Sequence, residues 1–398
     1  MRKITLGDLC EPIAGQLKLE KDTLVDYFDI SSVDNVSKTI TGFTTYNFGE
    51  APSRARKAVK RNSILVSTVR PNLNAVALFD EETDNIPVAS TGFCVLDCKM
   101  GVDPRFIFNF CRSKPFIDKM TSQATGASYP AVSDKIVRGA KIPDYSEKEQ
   151  AEISDTLDCV AEVIEMRKRE LQKLDDLIKA RFVELFGDPV ANSMNWPVKQ
   201  LKDLSVQINS GNTPKGGSEN YVEEGITFFR SQNVWKDRLE MDDIAYIDAE
   251  THASMKRSSL KHGDILMTKT GRINTENSSL GRAALYDGED DMANVNGHVY
   301  FIRLKEGVNN KFVLRILVSP EYRDLIRNVC VGGIDKRQLN KEHIEDFPII
   351  CPPSDMVDNY VAFVDQVAKS KVAETLIQIT TLYMTLTHPK YNLREAST

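Results

Sequence analysis

The sequence predicts an α+β fold with a pseudo-two-fold internal repeat. Two similar mixed α/β domains are each followed by a long helix, and the two helices should pair as an antiparallel two-helix coiled coil that separates the domains. Three observations support this prediction: a repeat that spans most of the chain, a heptad pattern after each copy, and short apolar strands within each copy. At 398 residues with 41% hydrophobic content, the chain can bury two separate cores.

The internal repeat consists of paired segments that occur in the same order in both copies. The distance between partners grows from 195 residues at Leu6 and Leu201 to 206 residues at Asp118 and Asp324. Loops therefore changed length while the framework kept its order. A period this long indicates a duplicated domain, because solenoid units repeat every 20–50 residues or so.

The segment 150–186 is predicted to be one long helix. It contains no Gly or Pro, and its apolar residues are spaced alternately by four and three, which is a heptad seam. At 1.5 Å per residue the helix would be about 55 Å long. Gly187 followed by Pro189 is a typical helix end.

A second seam in 354–386, beginning at the candidate N-cap Ser354, offers this helix a partner. An antiparallel intramolecular pair is the simplest arrangement, and a coiled-coil homodimer remains open as the alternative. The residues expected to pack the helix pair are Ile153, Leu157, Val160, Ile164, Leu171, Leu174, Ile178, Val361, Val364, Ile379 and Leu382. The domain boundaries that follow are 1–149, 150–189, 190–352 and 353–398.

Within the globular parts, apolar runs predict strands and amphipathic runs predict helices. The expected strands are 62–68, 91–97, 264–268 and 297–304, and the expected helices are 104–120 and 310–329. Segments 209–218 and 269–281 are rich in Gly, Asn, Thr and Ser, so they are expected to be loops that present hydrogen-bonding groups.

Composition favours a cytoplasmic protein. No apolar run approaches the roughly 18 residues of a membrane helix, and Asp8 comes too early for a signal peptide. The seven cysteines are scattered and form no CxxC pair, as expected for reduced thiols.

The net charge of −6 does not suggest a polyanion partner at first sight. However, the acid excess is concentrated in 146–189, which holds 12 acidic and 7 basic residues. The run 54–61 holds five cations and no acid. Phosphate binding requires clustered cations rather than a high overall charge, although such a run is more often only a solvated face.

Patterns typical of catalysis are missing from the sequence. There is no phosphate-binding P-loop, no methyltransferase box of the type [ND]-P-P-[YF], and no paired metal spacing among the five histidines. Asp84 with Asp97-Cys98-Lys99 only faintly resembles a nuclease site. A recognition module is therefore favoured over an enzyme.

Five segments of the sequence form a recognisable set of motifs. They are Glu149-Gln150-Ala151-Glu152-Ile153, Phe186-Gly187-Asp188-Pro189, Phe228-Phe229-Arg230-Ser231-Gln232-Asn233-Val234, Gly263-Asp264-Ile265-Leu266-Met267-Thr268-Lys269-Thr270-Gly271 and Gly332-Gly333-Ile334. In this order they resemble the motifs of one known family, the specificity subunits of type I restriction–modification systems. The resemblance covers essentially the whole chain, and the Phe-Gly-Asp-Pro helix end is its most specific part.

The resemblance implies a function without catalysis. Such subunits read a bipartite, asymmetric site in double-stranded DNA, with one target-recognition domain per half-site. Their helix pair docks two methyltransferase subunits, which bind S-adenosylmethionine, and restriction subunits that use ATP and Mg²⁺ then join. This chain itself should bind no cofactor and no metal. Its distal helix starts with Ser354-Asp355 and ends near His388-Pro389, unlike the family pattern.

Candidate DNA-contacting residues follow from loop position and side-chain chemistry. In the first domain five cations are assigned to phosphate and three residues are expected to include base readers: Arg54, Arg56, Lys57, Lys60 and Arg61, then Arg70, Asn72 and Asn74. In the second domain the candidates are Arg230, Gln232, Asn233, Lys269, Thr270, Arg272, Lys336, Arg337 and Gln338. The rival hypotheses are a nuclease or fused methyltransferase, and a structural adaptor that keeps only remnants of a recognition fold.

Overall fold

The structure is a computed structural model that describes residues 2–273, 275, 277–333 and 336–387, with side chains up to Lys371 in the last helix. The chain divides into two compact units. The first comprises Met1–Arg169 with Glu374–Thr398, and the second comprises Glu170–Ala373. This division cuts both long helices, whereas the sequence-based boundaries treat each helix as a separate segment.

The globular part of the first unit has nine strands, three short α-helices and three 3-10 turns among its described residues. Its strands are Lys3–Thr5, Leu24–Phe28, Thr44–Asn47, Ala55–Ala58, Ile64–Ser67, Val76–Leu78, Ile86–Ser90, Phe93–Leu96 and Lys141–Pro143. Its helices are Pro104–Cys111, Lys114–Ser122 and Asp134–Arg138, and the 3-10 turns are Leu6–Asp8, Ile30–Ser32 and Pro71–Leu73.

The globular part of the second unit repeats this order with additional strands. Its strands are Val198–Gln200, Ser205–Ser210, Tyr221–Val222, Ile226–Phe229, Val234–Trp235, Arg238–Leu239, Ala245–Ile247, Ile265–Thr268, Thr270–Gly271, Ala283–Leu285, Ala293–Val295, Val299–Leu304, Val331–Gly332, Arg337–Gln338 and Pro348–Ile350. Its helices are Leu201–Leu204, Ala249–Ser254, Asn310–Leu317, Pro320–Val329 and Lys341–Glu345, with 3-10 turns at Gly217–Asn220, Ser231–Asn233 and Lys256–Ser258.

Strand pairing confirms the duplication in register. In the first unit the strand Ile64–Ser67 lies between two antiparallel neighbours, and Ile64 faces Leu78 on one side and Leu96 on the other. In the second unit Ile265 occupies the same position between Leu285 and Ile302. Each unit also has a second sheet that contains one parallel pair. The buried strands are apolar on both faces because a core lies on each side.

The two amphipathic segments predicted as single helices are each two helices, so this expectation was wrong. The first breaks after Cys111 and restarts behind the N-cap Ser113. The second breaks after Leu317 and restarts behind the N-cap Ser319, with Pro320 in the first turn. Proline is tolerated in a first turn but not in a helix interior, so it favours a restart here.

The first long helix, here called the central helix, spans Glu147–Phe186 and begins one turn earlier than predicted. A capping box causes the early start: Ser146 donates its backbone N–H and its hydroxyl to Glu149 at 2.9 and 2.7 Å. Gly187 follows with φ 71°, a left-handed conformation that favours glycine, as expected for the predicted helix end.

The second long helix, here called the distal helix, spans Ser354–Thr387 and packs on the central helix within the second unit. Tyr360 contacts Phe182 and Phe186 with ring centroids 5.6 and 5.5 Å apart, whereas Lys371, three turns later, forms an ion pair with Asp175. Residue numbers therefore increase along the distal helix as those of the contacted residues decrease along the central helix, so the pair is antiparallel. This confirms the predicted fold class of two similar mixed domains with a two-helix coiled coil.

The residues assigned to helix packing fall into three groups. Ile178 and Val364 are buried in the core of the second unit, and Leu174 and Val361 pack against it. Ile153 and Leu157 instead join the core of the first globular part. Val160, Ile164 and Leu171 are half-buried, and the side chains of Ile379 and Leu382 lie outside the described residues. In the described part of the chain, no helix combines the length and apolarity needed to cross a membrane.

Candidate nucleic-acid interface

Each unit presents two loops joined by backbone pairing, here called the paired loops. In the first unit they are residues 67–75 and 125–132, and in the second unit they are residues 268–281 and 330–339. One loop follows an inner strand of the core sheet, which has three strands in the first unit and four in the second. The other loop follows a helix, Lys114–Ser122 or Pro320–Val329. The duplication therefore preserves this arrangement as well as the framework.

Hydrogen bonds fasten the first paired loops together. Arg70 donates its N–H to the carbonyl of Pro130 at 2.7 Å, and Val132 donates to Thr68 at 2.9 Å. Val69 and Ala131 form an isolated bridge. Because both loops are held by their backbones, the side chains between them project from a fixed platform.

Arg70 and Asn72, two of the three residues among which base readers are predicted, are exposed on this platform. The Arg70 guanidinium lies 4.8 Å from the ring centroid of Tyr129. That ring is itself 68% exposed. A stacked guanidinium is pre-oriented and loses less freedom when it binds. Sequence reasoning missed Tyr129, although an aromatic residue three positions after Gly126 in a polar loop could have indicated it.

Asn74 does not belong with these readers. It is only 6% exposed, and its amide donates to the carbonyl of Cys111 at 3.0 Å. Its φ of 49° is left-handed, a conformation that Asn adopts more readily than most residues. Its role is therefore to shape the turn, which also explains why asparagine stands there.

The second paired loops are joined by strand pairing. Thr270 faces Gln338, Gly271 faces Arg337, and the latter strand also pairs with Val331–Gly332. Gly271 is required by space, because a Cβ there would lie 2.3 Å from the backbone nitrogen of Leu280. Six candidates that are far apart in sequence therefore come together: Lys269, Thr270, Arg272, Lys336, Arg337 and Gln338.

Arg272, Lys336 and Gln338 are exposed on these loops. Gln338 donates to the side chain of Asn340 at 3.2 Å. Arg337 is half-buried and donates to the carbonyl of Gly333 at 3.2 Å, so it also shapes its loop. The Lys269 ammonium lies 5.6 Å from the ring centroid of Tyr300.

The remaining second-domain candidates, Arg230, Gln232 and Asn233, lie at a separate turn, where all three bind Asp243 or its backbone. Arg230 and Asp243 form an ion pair at 3.1 Å, and the hydrogen bond from Gln232, followed by Arg230, lowers the pKa of that carboxyl. Asn233 is 1% exposed and caps the turn, so it is a structural residue. Within the described residues, the buried Nε of Arg230 has no hydrogen-bond partner.

The cation run of the first domain lies along the edge strand Ala55–Ala58 and the turn after it. Arg54 is exposed, and Arg56 lies 5.0 Å from the ring centroid of Phe48. Lys60 and Arg61 are exposed and form weakly held pairs with Asp97 at 3.6 Å and Asp80 at 2.8 Å. Exposed pairs of this kind contribute little to stability, so breaking them costs little.

Lys57 is different from its neighbours in this run. Its ammonium lies 2.6 Å from Asp134, and both side chains are largely covered. Breaking a covered pair costs more than breaking an exposed one. Lys57 therefore ties the edge strand to the helix Asp134–Arg138 rather than offering a charge to solvent.

The faint nuclease-like pattern at Asp84 and Asp97 has a structural explanation at Asp97. Ser63 donates its hydroxyl to Asp97 at 2.5 Å, which links two neighbouring strands of the core sheet. Among the residues that the structure describes, no group of three or more His, Cys, Asp and Glu side chains is arranged to hold a metal ion.

Comparison with known proteins gives a consistent set of similarities. Residues 194–381 match the model of the type I restriction modification DNA specificity domain. The chain is 25% identical over 224 residues to the HindI specificity subunit of Haemophilus influenzae, covering 54% of this chain and 48% of that protein. It is 21% identical over 160 residues to the putative MjaX specificity subunit of Methanocaldococcus jannaschii, covering 40% and 36%.

These matches span about half or less of the curated relatives' own length. A solved chain from a study of complex assembly and conformational transition of a type I restriction–modification system aligns over all of this chain and 97% of its own length. It has a TM-score of 0.60 at 23% identity. That likeness supports the overall fold.

Proposed function

We propose that the chain is a specificity subunit of a type I restriction–modification system, since residues 194–381 match the model of the DNA specificity domain of such systems. In this proposal it reads a bipartite DNA target with one domain per half-site. DNA target recognition is the function of the matched family. The observation that supports two half-sites is the recurrence of the paired loops in both copies of the repeat. Two similar domains suit a ligand with two similar, separated halves.

The paired loops suit direct reading of bases. Arginine, glutamine and asparagine side chains can make bidentate contacts with base edges in the major groove. The first domain offers Arg70 and Asn72, and the second offers Arg272 and Gln338, all exposed. Their backbones are held by interstrand bonds, so little ordering is needed on binding.

Phosphate contacts would set the register of the first domain on DNA. Arg54, Arg56, Lys60 and Arg61 line one edge of the sheet, and in our proposal they grip the backbone without selecting sequence. Replacing Arg61 by Ala should weaken binding to all DNA sequences about equally and lower the salt slope by about 1. An unchanged salt slope would show that this edge is only solvated.

We further propose that the chain catalyses nothing itself. In this proposal the helix pair docks two methyltransferase subunits that bind S-adenosylmethionine, and restriction subunits using ATP and Mg²⁺ join through that complex. The relatives that match are named specificity subunits. The atypical start and end of the distal helix make its docking the part of the proposal to test first.

Methylome sequencing tests the proposal directly. A host carrying this chain and its methyltransferase subunit should show methylation at one bipartite motif, and a host with the methyltransferase alone should not. Mobility shift with the same complex should follow that motif. Methylation that does not depend on this chain would contradict the proposal and favour the structural adaptor.

A further inference from the structure

Beside the second paired loops lies a cleft of about 130 Å³ with a cationic wall. Lys236, Arg282 and Arg323 line it together with the indole of Trp235, and no acidic side chain is among its described lining residues. A cleft needs only about 10–15 Å³ of this volume to hold one water molecule. The cleft therefore has room for a small anion such as a phosphate group.

Trp235 organises the cations of this cleft. The Arg282 guanidinium lies 3.8 Å from the indole centroid, and that of Arg238 lies 5.3 Å from it. Arg282 also donates to the carbonyls of Asn277 and Ser278, and Arg323 donates to the carbonyl of Thr275 at 3.2 Å. The same arginines that wall the cleft thus hold one of the paired loops in place.

These like charges repel one another. Partial burial of the ammonium group of the otherwise exposed Lys236, and then the nearby Lys179 and Arg323, lower its pKa, although Asp237 and Glu321 oppose this. Burial and then Arg323 and Arg238 lower the pKa of Arg282. Asp237 is already paired with Arg315, and Arg238 with Glu240 at 2.5 Å. A bound anion would relieve this repulsion.

Two hydroxyls complete the lining. Ser278 accepts the backbone N–H of Leu280 at 3.1 Å, and Ser319 accepts that of Tyr322 at 3.2 Å. Because each hydroxyl accepts in these bonds, its own proton is left to be donated to a ligand. Cations and hydroxyl donors in one cleft are the chemistry that recognises phosphate oxygens.

We propose that this cleft binds one phosphate group of the DNA backbone next to the second half-site. The inference rests on the proposed function and extends it, since none of Trp235, Lys236, Arg282 and Arg323 is among the loop residues assigned above. The first domain lacks the counterpart of Arg282, because the residue before its corresponding strand is Ala75, which is 3% exposed. The two domains therefore grip the backbone differently.

Lys236 provides the cleanest test because it is exposed and makes no loop-holding contact in the described structure. In the complex with the methyltransferase subunit, Lys236→Gln should weaken binding to target and non-target DNA alike and lower the salt slope by about 1. Lys236→Arg should restore the slope. The matched control is Lys256→Gln, an exposed lysine on a 3-10 turn of the same domain.

The wild-type complex separates the two proposals. If it binds no DNA specifically, the proposed function fails, whereas specific binding with an unchanged Lys236→Gln salt slope overturns only the cleft. The variant Trp196→Phe tests whether the cleft binds free phosphate instead. The chain has two tryptophans, so this variant keeps only Trp235, which lines the cleft. We expect a short duplex to change its fluorescence at concentrations where inorganic phosphate does not. Saturation by inorganic phosphate alone would overturn the assignment to DNA.

Discussion

The hydroxyl of Tyr360 on the distal helix donates to the backbone carbonyl of Ile178 on the central helix, at 3.4 Å. The Tyr360 ring is 1% exposed and lies among Phe182, Phe186 and Phe312. An aromatic cluster, rather than the heptad seam alone, therefore joins the two helices next to the second domain. Aromatic pairs of this kind add to the energy of burial.

Burial raises the pKa of Tyr360 to about 12, with Arg315 lowering it and Asp237 raising it further. The unfolded chain should titrate near 10, so unfolding releases a proton between these values. The neutral ring therefore stabilises the fold fully below pH 10, and this contribution should fall as pH rises toward 12. Tyr360→Phe should reduce the fall in unfolding free energy between about pH 10 and pH 12, as measured by urea unfolding at a series of pH values.

The control for Tyr360→Phe is Tyr129→Phe, which removes an exposed hydroxyl. It should leave the pH profile of stability as in the wild type. Equal profiles for Tyr360→Phe and the wild type would contradict a buried, titrating Tyr360.

A buried ion pair occupies one position of the repeat in the second domain only. Asp264 is 1% exposed and accepts from Arg303 at 2.9 and 2.7 Å, and the Arg303 guanidinium also donates to Ser259. Asp264→Ala should cost about 3–5 kcal/mol of unfolding free energy, because it leaves a covered guanidinium unpaired. In the first domain, Ser63→Ala should cost about 2 kcal/mol, since it loses the hydrogen bond to the Asp97 carboxylate and the one from the Lys60 backbone N–H. If chemical denaturation gives similar losses of unfolding free energy for Asp264→Ala and Ser63→Ala, the ion pair is no more costly to break than the hydrogen bonds of Ser63.

If the paired loops read bases, replacing an arginine on them should change the methylated motif, whereas replacing a lysine held in an ion pair should not. Arg70→Ala should relax one position of the first half-site and cost about 1–3 kcal/mol of binding, because a bidentate contact is lost. Arg272→Ala should do the same in the second half-site. Lys57→Ala should leave the motif unchanged, since Lys57 is paired with Asp134. Methylome sequencing of each variant reports the motif, and an unchanged motif in both arginine variants would remove these loops from base reading.

The helix pair should act as a ruler between the half-sites. Four residues added near Arg169 would lengthen the central helix by about 6 Å, or close to two base pairs. The half-site sequences should stay the same while the spacer grows, with some affinity lost because four residues exceed one 3.6-residue turn by about 40°. The heptad pattern should absorb the insertion as a stutter. An active variant that still methylates the original spacing would show that the helices do not measure the site.

The sequence alone determined the framework, because apolar periodicity and helix-end residues are local patterns that a sequence shows directly. Repeated apolar strands fixed the duplication, and the spacing of four and three with Gly187 fixed the central helix and its end. The helix breaks before Lys114 and Pro320 were missed, since a periodic apolar face continues across a short restart. The Ser146–Glu149 capping box was also overlooked, although it is a local signal.

Only the tertiary structure decided which polar side chains are available for a ligand. Asn74, Asn233 and Lys57 have side chains suited to DNA contact. Each nevertheless already forms a hydrogen bond or an ion pair within the protein. The pairing of Thr270 with Gln338 and the stacking of Arg282 on Trp235 join residues separated by long stretches of chain. Such contacts depend on burial and loop geometry, which periodicity and composition do not encode.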